Sequence, residues 1–315
     1  MKDLAYLNKF FFKYRWHLIP GILFVIIANI FGVLPAQVIR LAFDLVTENI
    51  GTYQLFSGFN RQGMIYDIFG SSLFLFGSLV LALALIRGLF LFFQRQTLIL
   101  MSRHIEYDLK NEIYNHYQNL SLAFYRRHNT GDLMNRVTED VSRVRMYLGP
   151  GIMYTVNTVT LFILVIFAML TVNVRLAVYA ILPLPIQALL IYYVNNIINF
   201  RSEKIQERLS VLSSFVQENF SGIRIIRSYV REPSIRDRFA QESEDYKTHS
   251  MALVKVQAGF YPIMLFLVGF SNIVTIYIGG IEVMKGTITT GNIAEFLVYL
   301  NQLTFPVMAL GWVTS

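Results

Sequence analysis

The sequence predicts an all-α membrane protein with six transmembrane helices and long cytoplasmic helical extensions. Three observations carry that class. Of 315 residues, 55% are hydrophobic and only 15% charged, against about 25% charged in soluble domains, and the mean hydropathy is +0.49. Six apolar stretches reach the roughly 20 residues that cross a hydrocarbon core of about 30 Å. Between them, apolar residues recur every three or four positions through otherwise polar segments, which is the period of a helix.

Residues 1–16 read as a short amphipathic helix. In DLAYLNKFFFKYRW, Leu4, Leu7, Phe11 and Tyr14 fall at helical spacing, with Lys9 and Lys13 elsewhere. That pattern suits the cytoplasmic interface of a bilayer, and a simple flanking anchor fits it equally. The apolar run from Leu18 continues past Pro35 without a small-residue cleavage site, so it is not read as a signal peptide. The spans fall at about 18–43, 70–93, 148–172, 176–198, 256–280 and 293–313. Asn272, Thr275, Asn301 and Gln302 interrupt the last two, as in helices that line a cavity. Pro35, Pro183, Pro185, Pro262 and Pro306 lie within spans and are candidates for bends.

Charge sets the orientation. Lys2, Lys9, Lys13 and Arg15 precede the first span. Basic residues from Arg103 to Arg145 separate the second from the third, and those from Arg201 to Lys247 separate the fourth from the fifth. The opposite connections carry only Arg61, Arg175 and Lys285, so the N-terminus and both large loops are assigned to the cytoplasm. The net charge of +7 follows from this topology rather than from nucleic-acid binding. The basic residues alternate with Glu and Asp and lack aromatic residues interleaved for base stacking. The absence of cysteine excludes disulfides and thiolate metal sites within these residues.

Both large loops read as helical hairpins. Met101, Ile105, Leu109, Ile113, Tyr117 and Leu120 keep helical spacing, with no Pro or Gly between Gly88 and Gly131, so the second span continues outward as one helix. About 25 residues beyond the bilayer project roughly 37 Å. Leu133, Val137, Val141, Val144 and Leu148 carry the chain back. In the second loop Ile205, Leu209, Leu212, Val216, Phe220 and Ile223 lead outward, and Ile235, Phe239, Glu242, Tyr246, Ser250 and Leu253 mark a more polar return. Ordering that much helix away from the bilayer is costly unless the tips touch something; packing of the hairpins on each other is the simpler alternative.

The tips are specific. The first reads SLAFYRRHNTGDLMNRVTEDV, in which Thr130-Gly131-Asp132 is expected to break one helix and cap the next, with Arg136 and Asp140 four apart on the new one. The second reads QENFSGIRIIRSYVREP, in which Gly222 is expected to allow close helix approach and Pro233 to stop continuation. Together, in this order and separated by two spans, they resemble the transmembrane domain of ABC exporters, the six-helix type that swaps helices between two half-transporters. The first tip is similar to that family's first coupling helix and its following T-G-[DE]-[LIV]-x-x-R-[VI]-x-x-D run. The second is similar to its second coupling helix, with Glu218, Gly222, Ile223, Arg224, Ile226, Arg227, Tyr229 and Glu232 filling the pattern. GNIAEFLVYLNQLTFPVM, from Gly291, is similar to the family's entry into the sixth span.

The resemblance covers essentially the whole chain and implies the ABC exporter fold, with residues 1–16 as its elbow helix and coupling helices near 124–130 and 226–231. Phe124, Tyr125, Arg126, Arg127, His128 and Asn129, with Gly131, Asp132, Arg136 and Asp140 behind them, would make the first contact with nucleotide-binding domains. Arg227, Ser228, Tyr229 and Val230 would make the second, with Glu218, Gly222, Arg224 and Glu232 flanking them. It implies as partners the lipid bilayer, nucleotide-binding domains, a second half-transporter as homodimer or heterodimer, and a transported substrate, in a bacterial inner membrane. Mg-ATP is implied for the full transporter only. No segment fits G-x-x-x-x-G-K-[ST] or L-S-G-G-Q, so these residues are expected to bind and hydrolyse no ATP by themselves, and the sequence reads as a truncated or isolated domain.

Other classes fit less well. An ion-coupled transporter needs a titratable group inside the membrane, whereas Asp44, Glu282 and Glu295 fall near outer boundaries and His17 and His249 near inner ones. An intramembrane enzyme would need paired carboxylates, a His cluster or a Ser/Lys pair within the spans. A channel or regulator on the same scaffold stays open. Arg87, inside LALALIRGLFLFF, either snorkels to the inner headgroups or faces the cavity to meet an anionic substrate. Tyr154, Asn157, Tyr192, Tyr193, Gln257, Tyr261, Asn301 and Gln302 are the other candidate cavity residues, with interfacial placement the alternative for the aromatic ones.

Overall fold

Every regular element described is helical. The computed structural model describes residues 6–55 and 62–314, and no strand occurs among them. In order these are α1 (Asn8–Lys13), α2 (Arg15–Leu55), α3 (Gln62–Gln118), α4 (Leu122–Arg127), α5 (Thr130–Asn135), α6 (Val141–Met146), α7 (Ile152–Val172), α8 (Val174–Ile181), α9 (Pro183–Ser221), α10 (Ile223–Ser228), α11 (Glu232–Met284) and α12 (Thr290–Thr314). Five helical stretches are long and apolar enough to cross a membrane. The sixth predicted span coincides with α12.

The predicted levers are continuous helices. α3 runs 57 residues without interruption, about 86 Å, and α11 runs 53 residues. The return from the first tip is helical too, but it contains two π turns, Arg136–Asp140 and Tyr147–Gly151. At the second, Pro150 has no N–H to donate, and the N–H of Ile152 reaches back five residues to the Tyr147 carbonyl. The predicted fourth span lies within one helical stretch, Val174–Ser221, marked only by a single-residue step at Leu182, where α8 ends at Ile181 and α9 begins with Pro183 in its first turn. Pro20, Pro35, Pro262 and Pro306 stay inside unbroken helices. Helices α2 and α3 extend beyond their predicted outer ends at 43 and 70; Arg61 and Lys2 lie outside the described residues.

The chain divides into two compact units. The first comprises residues 1–177 and 275–299, the second 178–274 and 300–315. In the first, α2 packs along α3 and against α7. Leu7, which precedes α1, and Phe10 within it join Met101, Ile105, Leu109, Val141 and Leu148 in one buried cluster. The N-terminal segment therefore buries Leu7 and Phe10 against the protein, with Phe11 and Tyr14 partly buried against the same cluster; Leu4 lies outside the described residues. Lys9 pairs with Glu112 at 2.7 Å and Lys13 with Asp108 at 2.5 Å, and the Tyr14 hydroxyl donates to Asp108 at 2.9 Å. Burial works to raise the Asp108 carboxyl, yet these two donors hold it below its ordinary value. Glu106 joins Lys110, Arg103 and Arg145, and the hydrogen bond from Lys110, acting against burial, likewise keeps it low. The base of the first lever is thus held by apolar packing inside and ion pairs outside.

The predicted outer ends of the first unit carry a polar network. Glu295, 1% exposed, meets Arg40 at 3.3 Å and accepts from Asn292 and from the Tyr299 hydroxyl at 2.8 Å. Asp44 accepts from the Gly291 N–H and the Thr289 hydroxyl, both at 2.8 Å. Glu282 is held by Arg175, Lys285 and Thr287. All three carboxylates near the outer boundary are therefore engaged.

Candidate functional site

At the first tip the helix stops and restarts twice within a dozen residues. The last turn of α3 tightens, with the N–H groups of Asn119 and Leu120 donating to carbonyls three residues back. After α4, His128 and Asn129 adopt extended conformations, and the Asn129 side chain accepts from the Gly131 N–H at 2.9 Å. Asn129 is thus the cap; Thr130, expected to cap, is the first helical residue. Arg136 pairs with Asp132 at 3.3 Å instead of with Asp140, because the π turn over Arg136–Asp140 changes which side chains face each other.

The tip itself is braced from within. Phe124 stacks on His128 with centroids 4.0 Å apart, and Tyr125 lies edge-on to Phe124. The Tyr125 hydroxyl donates to the Tyr117 carbonyl at 2.5 Å, tying α4 to the end of α3. Arg126 and Arg127 are exposed, and neither makes an ion pair or hydrogen bond among the described residues. Two free guanidiniums thus stand on a rigid aromatic base.

The second tip has the same plan with different chemistry. Gly222 joins α9 to α10 at φ −92°, ψ 9°, and a Cβ there would meet only the backbone of its own helix, no nearer than 3.4 Å. Its predicted role in close helix approach is therefore not observed. Pro233, expected to stop a helix, sits in the first turn of α11, where a missing N–H is harmless. The chain turns instead at Val230, with φ 51°. The Arg231 N–H reaches the Ile226 carbonyl at 3.0 Å and the Val230 N–H the Arg227 carbonyl at 3.2 Å, the paired bonds of a Schellman motif.

The same motif closes α11, where Thr287 bonds Glu282 and Gly286 bonds Val283, and there the left-handed residue is Gly286, with φ 72°. A β-branched residue at that position costs about 1 to 2 kcal/mol. Replacing Val230 with glycine returns some of this to unfolded-state entropy, so Val230→Gly should stabilise the chain by a net 0.5 kcal/mol or so. Thermal melting in detergent measures it; a lowered midpoint would show that Val230 is not strained.

Side chains around the turn are unusually apolar for a projecting tip. Ile225, Tyr229 and Val230 are 66%, 75% and 76% exposed. Arg224, Arg227, Glu218 and Glu232 are without an ion pair among the described residues, and Ser228 donates to the Arg224 carbonyl. Observed helix α10 starts at 223, three residues before the predicted 226, and α4 ends at Arg127, short of the predicted 130.

The candidate cavity residues separate. Arg87, Tyr154 and Asn157 come together around a cavity of ≈ 470 Å³, joined by Gln94, Arg95 and Phe92. Arg87 passes beside Gly32, whose added Cβ would lie 3.1 Å from the guanidinium. Neither Arg87 nor Arg95 has an ion pair or hydrogen bond among the described residues, and the buried Gln94 leaves its Oε1 unpaired. Gln94 and Arg95 follow the predicted end of the span at 93, so the sequence alone gives no signal that they join this cavity. Tyr192, Gln257, Tyr261, Asn301 and Gln302 belong to the second unit, as does Tyr193, which lines a different cavity. No three His, Asp or Glu side chains among the described residues gather as a metal site would require.

Residues 18–307 match the family described as ABC transporter transmembrane region. The chain is 28% identical, over 96% of its length and 50% of the relative's, to the multidrug resistance-like ATP-binding protein MdlA of Buchnera aphidicola subsp. Schizaphis graminum. It is 32% identical, over 66% of its length and 36% of the relative's, to the probable multidrug resistance ABC transporter ATP-binding/permease protein YheI of Bacillus subtilis. It is 28% identical, over 73% and 38%, to the ATP-dependent lipid A-core flippase of Syntrophus aciditrophicus. The chain spans about half the length, or less, of these curated relatives.

Proposed function

Since the chain belongs to the family of ABC transporter transmembrane regions, we propose that it is the substrate-translocating part of an ATP-driven exporter, worked through its two tips by nucleotide-binding domains. The relatives named as ATP-binding and permease proteins support such domains as partners, fused or separate, along with a second half-transporter. Mg-ATP is held by those domains; no segment of this chain offers the glycine-rich loop and lysine that cradle its phosphates. The N-terminus and both tips are proposed to lie on the cytoplasmic side of a bacterial inner membrane, a reading supported by the basic residues of those segments.

One observation carries the reading: two short helices, each at the end of a long helix, expose apolar side chains and guanidiniums that have no ion pair or hydrogen bond among the described residues. Ile225, Tyr229 and Val230 each gain about 1.5 to 3 kcal/mol when covered, and Arg126 and Arg127 are available for charged partners. Beyond the predicted inner boundary at 93, α3 continues to Gln118, about 37 Å, so a movement at the tip is transmitted by an uninterrupted helix. Closure of the ATP-bound domains against each other displaces the tips, and the helices convert that into exchange between inward and outward access. The two states differ in nucleotide affinity, so ATP shifts their populations. The cavity around Arg87, Arg95, Tyr154 and Asn157 is proposed to receive part of the substrate.

Reversing both charges, Arg126→Glu with Arg127→Glu, should lower ATP-driven transport by the full-length protein about tenfold or more, with substrate no longer stimulating ATP hydrolysis. Unchanged transport and stimulated hydrolysis would remove the first tip from the mechanism.

A further inference from the structure

In the second unit, α9 and α11 border a groove at their predicted inner membrane boundaries. A cavity of ≈ 560 Å³ is lined by Tyr193, Asn196, Phe200, Arg201, Lys204 and His249. An adjoining one of ≈ 590 Å³ shares Arg201 and adds Glu244, Lys247 and Lys255. Four permanent cations therefore stand against one carboxylate, and that carboxylate is already taken by Lys247 at 3.0 Å. Arg201 and Lys255 have no ion pair or hydrogen bond among the described residues, and Lys204 lies over the Phe200 ring, 5.6 Å from its centroid. His249 is engaged by Asp245, whose carbonyl lies 2.9 Å and carboxylate 3.5 Å from Nδ1, and that carboxylate is paired with Arg208 at 3.2 Å.

Depth selects the ligand. With span boundaries at 198 and 256, Lys255 lies about 1.5 Å, Arg201 about 4.5 Å and Lys204 about 9 Å outside the hydrocarbon core along the helix axis. The headgroup layer on one side of a bilayer is about 5 to 7 Å thick, so the three cations bracket it. Excess positive charge on the cytoplasmic side needs only that cations be present. It does not require three of them, without carboxylate partners, along two adjoining cavities that share Arg201. Phe200 and Tyr193 are 62% and 67% exposed, the surface an acyl chain would follow toward the bilayer.

We propose that this groove binds the phosphate headgroup of an acidic phospholipid of the cytoplasmic leaflet, with Arg201, Lys204 and Lys255 as its ligands. This rests on the membrane boundaries and not on the coupling role of the tips. A basic recess between membrane helices on the cytoplasmic side is the arrangement that retains such headgroups.

The test is native mass spectrometry of the full chain in detergent, titrated with phosphatidylglycerol and with phosphatidylcholine. The unaltered chain should prefer phosphatidylglycerol about tenfold or more, since each basic residue near the surface contributes. The triple variant Arg201→Gln, Lys204→Gln, Lys255→Gln should lose that preference while keeping its melting midpoint. The charge-conserving Arg201→Lys, Lys204→Arg, Lys255→Arg should retain it, and inorganic phosphate should not displace the lipid. A glutamine variant that still selects phosphatidylglycerol overturns the proposal, as does loss of the preference in the charge-conserving variant. Displacement by inorganic phosphate would instead make the groove a site for soluble anions and overturn the lipid assignment.

Discussion

Arg40→Ala should destabilise the protein by about 3 kcal/mol, the lower end of the range for breaking a buried ion pair. The lower end applies because the Arg40 side chain is 31% exposed while that of Glu295 is 1% exposed. The alanine leaves the Glu295 carboxylate with the Asn292 amide and the Tyr299 hydroxyl but without a cation. Arg40→Met combined with Glu295→Gln removes both charges and should cost distinctly less, because the penalty comes from stranding one charge more than from losing the pair. Denaturant titration of the single and double variants in detergent separates these cases. Equal losses would mean that Glu295 is compensated by its neighbours alone.

Gly291→Val should cost as much or more. A Cβ at Gly291 would fall 2.4 Å from the Arg40 carbonyl oxygen and 2.5 Å from Asp44 Oδ1. The first of these is backbone and cannot swing away. Overpacking of this kind costs about 1 to 3 kcal/mol. Displacing Asp44 also loses its charge-assisted bond to the Gly291 N–H, worth about 1.5 to 3 kcal/mol. Gly280 is the control: nothing lies within 4 Å of a Cβ there, so Gly280→Ala should be neutral or stabilising by up to about 1 kcal/mol. The same unfolding measurement tests both, and a mild Gly291→Val would mean that the start of α12 can move away from α2.

What the sequence made legible was whatever repeats locally. The outward helix from Met101 to Gln118 followed from one unbroken apolar period without Pro or Gly, and the tips followed from the sudden change to Arg, Asn, Gly and Asp. What stayed hidden depends on register or on distant partners. Two π turns shift the return helix after the first tip, which is why Arg136 bonds Asp132 rather than Asp140. Sequence reads caps by residue type, so Thr130 looked as suitable as Asn129, and only backbone geometry distinguishes them. Val230 has no sequence signal for a left-handed turn, since that position normally signals itself with glycine, as Gly286 does. The Arg40–Glu295 pair spans 255 positions, beyond the reach of any local pattern.

Docking of an ATP-binding region is the predicted function of the side chains exposed at the two tips, Arg126, Arg127 and Tyr229 among them. Its most direct test uses the absence of cysteine from these 315 residues. In an otherwise cysteine-free full-length protein, single cysteines at Tyr229 and Phe124, treated with a short bifunctional cross-linker, should join to the ATP-binding region. A cysteine at Tyr107, exposed like Tyr229 and more so than Phe124 but partway along α3, should not. Cross-linking at Tyr229 and Phe124 no greater than at Tyr107 would contradict the assignment of these tips as the docking points for ATP-driven transport.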